Sequence, residues 1–345
     1  MQLKKTLLIA FILGLSSLTI WELYWRSQEY IPTLDDNKDL WAVERSKVTK
    51  ASENDVILIG SSRVLFDIQL DEWSQITGVK PIQLASAGSS PLPIFHDIVE
   101  NSNFKGTVVT GVTPGLFFST TFPQAMPWKR AQNRVEFFHK RTYAQRLNHL
   151  ISVPIQLNLS FISASEEEWA NDIDLKALLR NIKIGNRTGK PGAPPFYAFH
   201  TTRLDRNTTM TEKTVRDTAF ANTIKKVWQF FGNGAPPPDK KATMEYFIKD
   251  AKKFMKRGGN LILLRAPSSG YYKEGEAKFL ARKDFWDELV TKTGAKGYHY
   301  QDYEQFHDLN LPEWSHLSAD DAKFFTKEIA KIMINEGAIN NHKIN

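Results

Sequence analysis

Val56-Ile57-Leu58-Ile59-Gly60-Ser61-Ser62-Arg63 decides what this chain folds into. Four consecutive apolar residues fit a strand buried on both faces, and the glycine and serines after them end it in a turn where a helix can start. The pattern recurs: Pro81-Ile82-Gln83-Leu84-Ala85 opens onto Ser86-Ala87-Gly88-Ser89-Ser90, and Thr107-Val108-Val109-Thr110 onto Gly111-Val112-Thr113-Pro114. Much later, the helical pattern from Glu245 to Arg257 stops at Gly258-Gly259, and the strand from Asn260 to Leu264 leads into the loop from Arg265 to Gly270. Strands that end in small residues, with helix-compatible sequence between them, have the rhythm of an α/β fold built on a parallel sheet. A last helix is predicted after Ser318, paired with Asp321 as a capping-box variant. Phe324, Phe325, Ile329 and Ile332 recur along it at helical spacing and are expected to close the core.

Working back towards the N-terminus, Lys4 and Lys5 precede an apolar run from Thr6 to Trp21 that continues through Leu23 and Tyr24, with Glu22 as the only charge before Arg26. At about 1.5 Å per residue this run approaches the thickness of a bilayer's hydrocarbon. Trp21, Tyr24 and Trp25 suit the outer interface, and the lysines suit the cytoplasmic side. The run is longer than most signal-peptide cores and no clear small-x-small site follows it, so residues 1–28 read as an uncleaved membrane anchor that holds the main domain outside the cytoplasm, in the periplasm. A cleaved signal and a buried soluble helix are the alternatives. Residues 29–53 read as a linker with a short helix from Val43 to Val48. Asp35, Asp36 and Asp39 lack the downstream ligands of a calcium loop and read as solvated charge.

The 345 residues are 41% hydrophobic and include 22 Phe, enough to fill a large core. There is no cysteine, which removes thiol chemistry, disulfides and zinc–thiolate sites. The net charge of +7 is scattered over helical stretches and reads as a solvated surface, and the sequence has no nucleic-acid motif. The α/β domain is expected over residues 54–335, followed by a tail at 336–345. Its rhythm fades between about 117 and 240, where aromatic and basic residues from Phe137 to Tyr143, an acidic helix near Ala164 to Asn181, and Gly/Pro-rich stretches at 185–195 and 232–238 read as an insertion that walls a site or meets a partner.

Ser62 stands where the first strand gives way to a helix, so its hydroxyl can project from the carboxyl end of the sheet beside backbone N–H groups that stabilise developing negative charge. His316, in Glu313-Trp314-Ser315-His316-Leu317-Ser318, lies just before the last helix, on a loop that can carry its ring towards Ser62. An imidazole titrates near neutral pH and can take the serine proton, while Glu313 orients it through the other ring nitrogen. Arg63 and Arg265 both follow strands and are candidates for binding an acidic substrate, with a structural ion pair as the alternative for Arg265. The Thr113 hydroxyl is either an oxyanion donor or a ligand of its own loop. Ser268, Ser269 and His96 read as structural.

Gly60-Ser61-Ser62, Gly88 and Glu313-Trp314-Ser315-His316, taken in order, resemble the blocks of the SGNH/GDSL hydrolase superfamily over residues 54–116 and 258–334. Ser61 stands where that family has Asp in its first block, Glu313 where it has Asp in its last, and Thr113 where it supplies an oxyanion Asn. The resemblance implies a flavodoxin-type parallel sheet flanked by helices, with Ser62 as nucleophile, His316 as base, Glu313 as its orienting carboxylate, and Ser62, Gly88 and Thr113 as the oxyanion hole. With the N-terminal anchor, the chain is similar to divergent envelope-associated members. The expected activity is therefore that of a serine esterase or O-acyltransferase acting on an extracytoplasmic glycan or related ester through an acyl-serine, with no cofactor or metal. The expected partners are the membrane, an envelope glycan or acyl donor, and a membrane protein. The alternative is an inactive member of the family that binds glycan or assists envelope assembly.

Overall fold

A computed structural model of the protein describes residues 2–119, 125–163, 194–233 and 237–342. The acidic helix expected near 164–181 and most of the stretch at 185–195 lie outside the described residues. Strands β1 (Val56–Ile59), β2 (Ile82–Gln83) and β3 (Thr107–Gly111) form where the apolar runs predict them. A short antiparallel hairpin, β4 (His200–Thr202) and β5 (Thr208–Met210), interrupts the series before β6 (Asn260–Arg265) and β7 (Lys296–His299). The five main strands lie in the order β2-β1-β3-β6-β7, every neighbouring pair parallel. The sequence did not suggest β7. Lys296 and Gly297 are exposed at the sheet edge, so only Tyr298 and His299 carry the burial that marks a strand.

The sheet separates two cores, and the alternation of side chains along each strand divides its residues between them. Val56 and Leu58 of β1 join Val109 and Ile262 on one face, under the helices Leu70–Thr77 and Ala319–Asn335. Ile57 and Ile59 join Val108, Leu261 and Leu263 on the other, under the helices Lys38–Lys47, Leu92–Asn101 and Lys240–Lys256. The last helix starts where its cap predicts, with Ser318 Oγ accepting from Asp321 N at 3.2 Å. Phe325, Ile329 and Met333 fill its inner stripe, whereas Phe324 is turned out and 42% exposed, because its position falls beside the stripe. Beyond the helix, Ala338 and Ile339 are buried and His342 N donates to Thr77 O at 2.8 Å, so this end of the chain packs on the domain.

Gln2–Ser27 is a single helix of 26 residues, long and apolar enough to cross a membrane, and none of it is buried against the rest of the chain. The linker helix starts earlier than expected, at Lys38, because the Asn37 side chain caps it by accepting from the N–H groups of Asp39 and Leu40, each at 3.0 Å. Asp36 departs from its reading as solvated charge. Its carboxylate takes a two-point ion pair from the fully buried Arg206, at 2.6 and 2.8 Å. Arg206 also donates to Gln83 O at 2.6 Å and Ala85 O at 2.7 Å, which ties the linker, the hairpin and the end of β2 together. Burial opposes ionisation of Asp36, but the pulls of Arg206 and Arg134 together outweigh it and leave the carboxyl below its ordinary range.

Candidate functional site

The carboxyl end of β1 runs into Gly60, and the helix Ser62–Asp67 begins two residues later. Space is tight there: a Cβ on Gly60 or on Gly111 at the end of β3 would collide with Val64, so both positions need the bare backbone. Ser61, not Ser62, is the N-cap of this helix. Its hydroxyl is buried, accepts from Arg63 N at 3.4 Å and lies 2.6 Å from Thr113 Oγ1. The expected oxyanion threonine is therefore bound to the residue beside the expected nucleophile, across the β1–β3 seam. Ser62 is the first helical residue and is half-exposed.

The loop before the last helix lies along that short helix. Arg63 Nε reaches Ser315 Oγ at 3.5 Å, the His316 ring stacks on Phe66 with centroids 4.3 Å apart, and Leu317 N donates to Asp67 Oδ1 at 2.9 Å. Phe66 stands four residues after Ser62, which places the two on one face of the helix about one turn apart. Glu313 and His316 are both fully buried. Glu313 Oε1 accepts from His316 N at 2.6 Å and lies 2.8 Å from His316 Nδ1, while Oε2 accepts from Trp228 Nε1. Trp314 makes this fold-back geometrically feasible: its φ of +78° turns the chain between the two partners, a left-handed conformation that costs a bulky residue on the order of 1–3 kcal/mol. With Nδ1 taken by the carboxylate, His316 Nε2 is buried and has no hydrogen-bond partner among the described residues, and no hydrogen bond joins it to Ser62 Oγ.

Part of the insertion surrounds this pair. Phe199 and Trp228, the latter on the helix Thr218–Asn233, lie with ring centroids 5.9 Å from that of His316. Neither residue carried a sequence signal, because each is far along the chain and lies in no pattern with His316.

Arg63 and Arg265 converge, but on Glu276 of the helix Gly270–Phe279. Arg63 Nη1 is 2.8 Å from Glu276 Oε1 as an ion pair whose N–H is not aligned as a hydrogen bond, and Arg265 Nη2 donates to Glu276 Oε2. Ser268 Oγ adds a hydrogen bond to the same oxygen at 2.7 Å. Burial opposes ionisation of Glu276, yet the two guanidinium charges outweigh it and hold the carboxyl below its ordinary range. Both arginines are buried, at 1% and 4% exposure, so they are built into the fold beside the site. Asp67, fully buried between Leu317 and these charges, has its carboxyl pushed well above its ordinary range by desolvation.

Gly88 adopts the left-handed region, φ +59°, and the Arg130 guanidinium occupies the space a Cβ would need. The loop around it is anchored by Ser86 N donating to Gly60 O at 2.9 Å, which brings the second and first strand ends together. His96 lies on the helix Leu92–Asn101 with Nδ1 2.9 Å from Asp250. A groove of about 660 Å³ lined by Lys240, Met244, Lys249, Glu288 and Lys292 contains no residue of this site. No family model matches the chain, and no curated protein matches it.

Proposed function

We propose that this protein is a membrane-anchored serine esterase or O-acyltransferase of the SGNH type, acting outside the cytoplasm on a glycan or related ester. The observation that carries the proposal is the Glu313–His316 pair, whose carboxylate holds Nδ1 and leaves Nε2 without a partner among the described residues, packed along the helix that Ser62 begins. The strand order β2-β1-β3-β6-β7 supports it, since doubly wound sheets of the flavodoxin type run 2-1-3-4-5 and use the carboxyl ends of their strands for chemistry.

In this mechanism Ser62 Oγ attacks the ester carbonyl carbon and its proton passes to His316 Nε2. The Ser62 and Gly88 amides hold the oxyanion. Either hydroxyl can donate in the Ser61–Thr113 bond, and in the arrangement where Ser61 donates the threonine keeps its own proton for the same oxygen. Collapse expels the alcohol, which takes the proton back from His316, and leaves acyl-Ser62. Water or a sugar hydroxyl then attacks the acyl carbon as its proton passes to His316 Nε2, and collapse breaks the acyl–Oγ bond with that proton returned to Ser62 Oγ, giving hydrolysis or transfer. The mechanism requires Ser62 or His316 to rotate on substrate binding to complete the proton path, and catalytic hydrogen bonds commonly tighten only in the substrate complex.

A serine-reactive phosphonate, followed by mass spectrometry of the full chain, tests the assignment. Labelling is expected at Ser62 and should vanish in Ser62→Ala, whereas full labelling of the variant would sink the mechanism. The missing hydrogen bond between Ser62 and His316, and the capture of both arginines by Glu276, favour a second reading in which the site binds glycan without turning it over. Saturable glycan binding that survives both Ser62→Ala and His316→Ala, with no adduct, would establish that one.

A further inference from the structure

We propose that the helix Tyr143–Gln156 lies on the outer surface of the bilayer and forms a second membrane attachment beside the N-terminal anchor. This rests on the membrane-anchored reading above. The helix is amphipathic in the inverted sense. Its half-buried residues, His149, Ser152, Val153 and Gln156, recur at helical spacing towards the domain and are mostly polar. Leu147, Leu150, Ile151 and Ile155 recur at the same spacing on the opposite side and are 43%, 68%, 57% and 44% exposed. A stripe of this kind turned away from a domain demands an apolar occupant.

Position identifies that occupant as lipid. The end of the helix runs into Leu157, itself 42% exposed, and then into a segment bound to the outer end of the N-terminal helix. Arg26 Nη2 donates to Asn158 O at 3.1 Å, and the Glu22 carboxylate accepts from Ser160 N at 3.0 Å and Phe161 N at 3.1 Å. Glu22 and Arg26 stand on the same turns as Trp21, Tyr24 and Trp25, the aromatic residues suited to the headgroup layer. The stripe is thereby held at the level where the spanning helix leaves the hydrocarbon, which is the depth of an interfacial helix. Arg141 and Arg146 at its other end supply positive charge for anionic headgroups. One spanning helix on a linker leaves a domain free to swivel, whereas a second contact fixes which face it presents to the membrane.

The chain has no cysteine, so single cysteines can carry an environment-sensitive fluorophore. The full-length protein, one copy per lipid nanodisc, is labelled in turn at Leu13→Cys, Leu150→Cys, Ile151→Cys and Lys252→Cys, and nitroxide lipids are added. Leu13 should be quenched by a deep nitroxide, and Leu150 and Ile151 by a shallow one with a blue-shifted emission. Lys252, exposed on the helix Lys240–Lys256, should not be quenched. Quenched Leu13 with Leu150 and Ile151 as wet as Lys252 overturns the second attachment alone and leaves the stripe for a protein partner. An unquenched Leu13 overturns the anchor and the proposal with it.

Discussion

Two polar clusters lie side by side at the carboxyl end of the sheet, and they are finished differently. In the Arg63–Glu276–Arg265 cluster both guanidinium groups are buried and face one carboxylate, and Ser268 adds a further bond. In the Glu313–His316 pair the carboxylate occupies Nδ1 and the Trp228 indole, and Nε2 has no partner among the described residues. A cluster whose charges are spent on one another fixes geometry. One that leaves a ring nitrogen without a partner is where the proposed reaction would draw its base. The contrast separates residues that build the site from those that can act in it, and it can be broken from either side.

The largest effect is expected at the open pair. His316→Ala or Ser62→Ala should remove acyl turnover, and Glu313→Gln, which spoils the orientation of the ring while keeping its shape, should lower kcat by about 10⁴-fold, as loss of the orienting carboxylate does in serine proteases. Esterase kinetics on a chromogenic ester would check all three, and undiminished turnover in Glu313→Gln would assign the pair to structure. Glu276→Ala should act on stability instead. It strands two buried guanidinium groups and should cost about 3–5 kcal/mol in a urea titration, whereas a small loss would show that water already reaches the cluster.

Thr113→Val discriminates roles. Loss of its bond to Ser61 alone should cost about 1 kcal/mol of stability with kcat preserved. A role on the oxyanion should instead cost about 10²-fold or more in kcat at nearly unchanged stability. The smallest effect is that of Asp67→Asn, which is a matter of pH. The folded protein holds the Asp67 proton that the unfolded chain releases above about pH 4, so wild-type stability should fall as pH rises from there towards the folded pKa. Asparagine keeps the acceptor for Leu317 N and has no proton to lose. The stability gap between variant and wild type should therefore widen with pH, and a gap that does not change with pH would mean that Asp67 is ionised in the fold.

Much of the scaffold was legible. The runs Val56–Ile59 and Asn260–Arg265 are apolar on both faces, and their turns carry the glycines that close packing against Val64 and the helix end at Gly258 require. The Glu313–His316 contact was legible too, since a three-residue offset on a loop permits it. Other parts gave no sign. The edge strand Lys296–His299 has too little burial to show in composition, and Asp36 resembles solvated charge until Arg206 arrives from 170 residues away. Arg63 looks like a substrate ligand at its strand end, and Arg265 like either a ligand or half of an ion pair, until the helix carrying Glu276 folds over them and pairs with both.

What the sequence determined by itself is whatever depends on neighbours in the chain: strand faces of period two, helix starts set by caps, and an apolar run long enough for a bilayer. Tertiary structure alone decided which charges are neutralised, that Trp314 turns with positive φ so that Glu313 can reach its histidine, and that the stripe on Tyr143–Gln156 faces away from the domain. Charge pairing and burial depend on distances between residues remote in sequence, and those distances exist only once the chain has closed on itself.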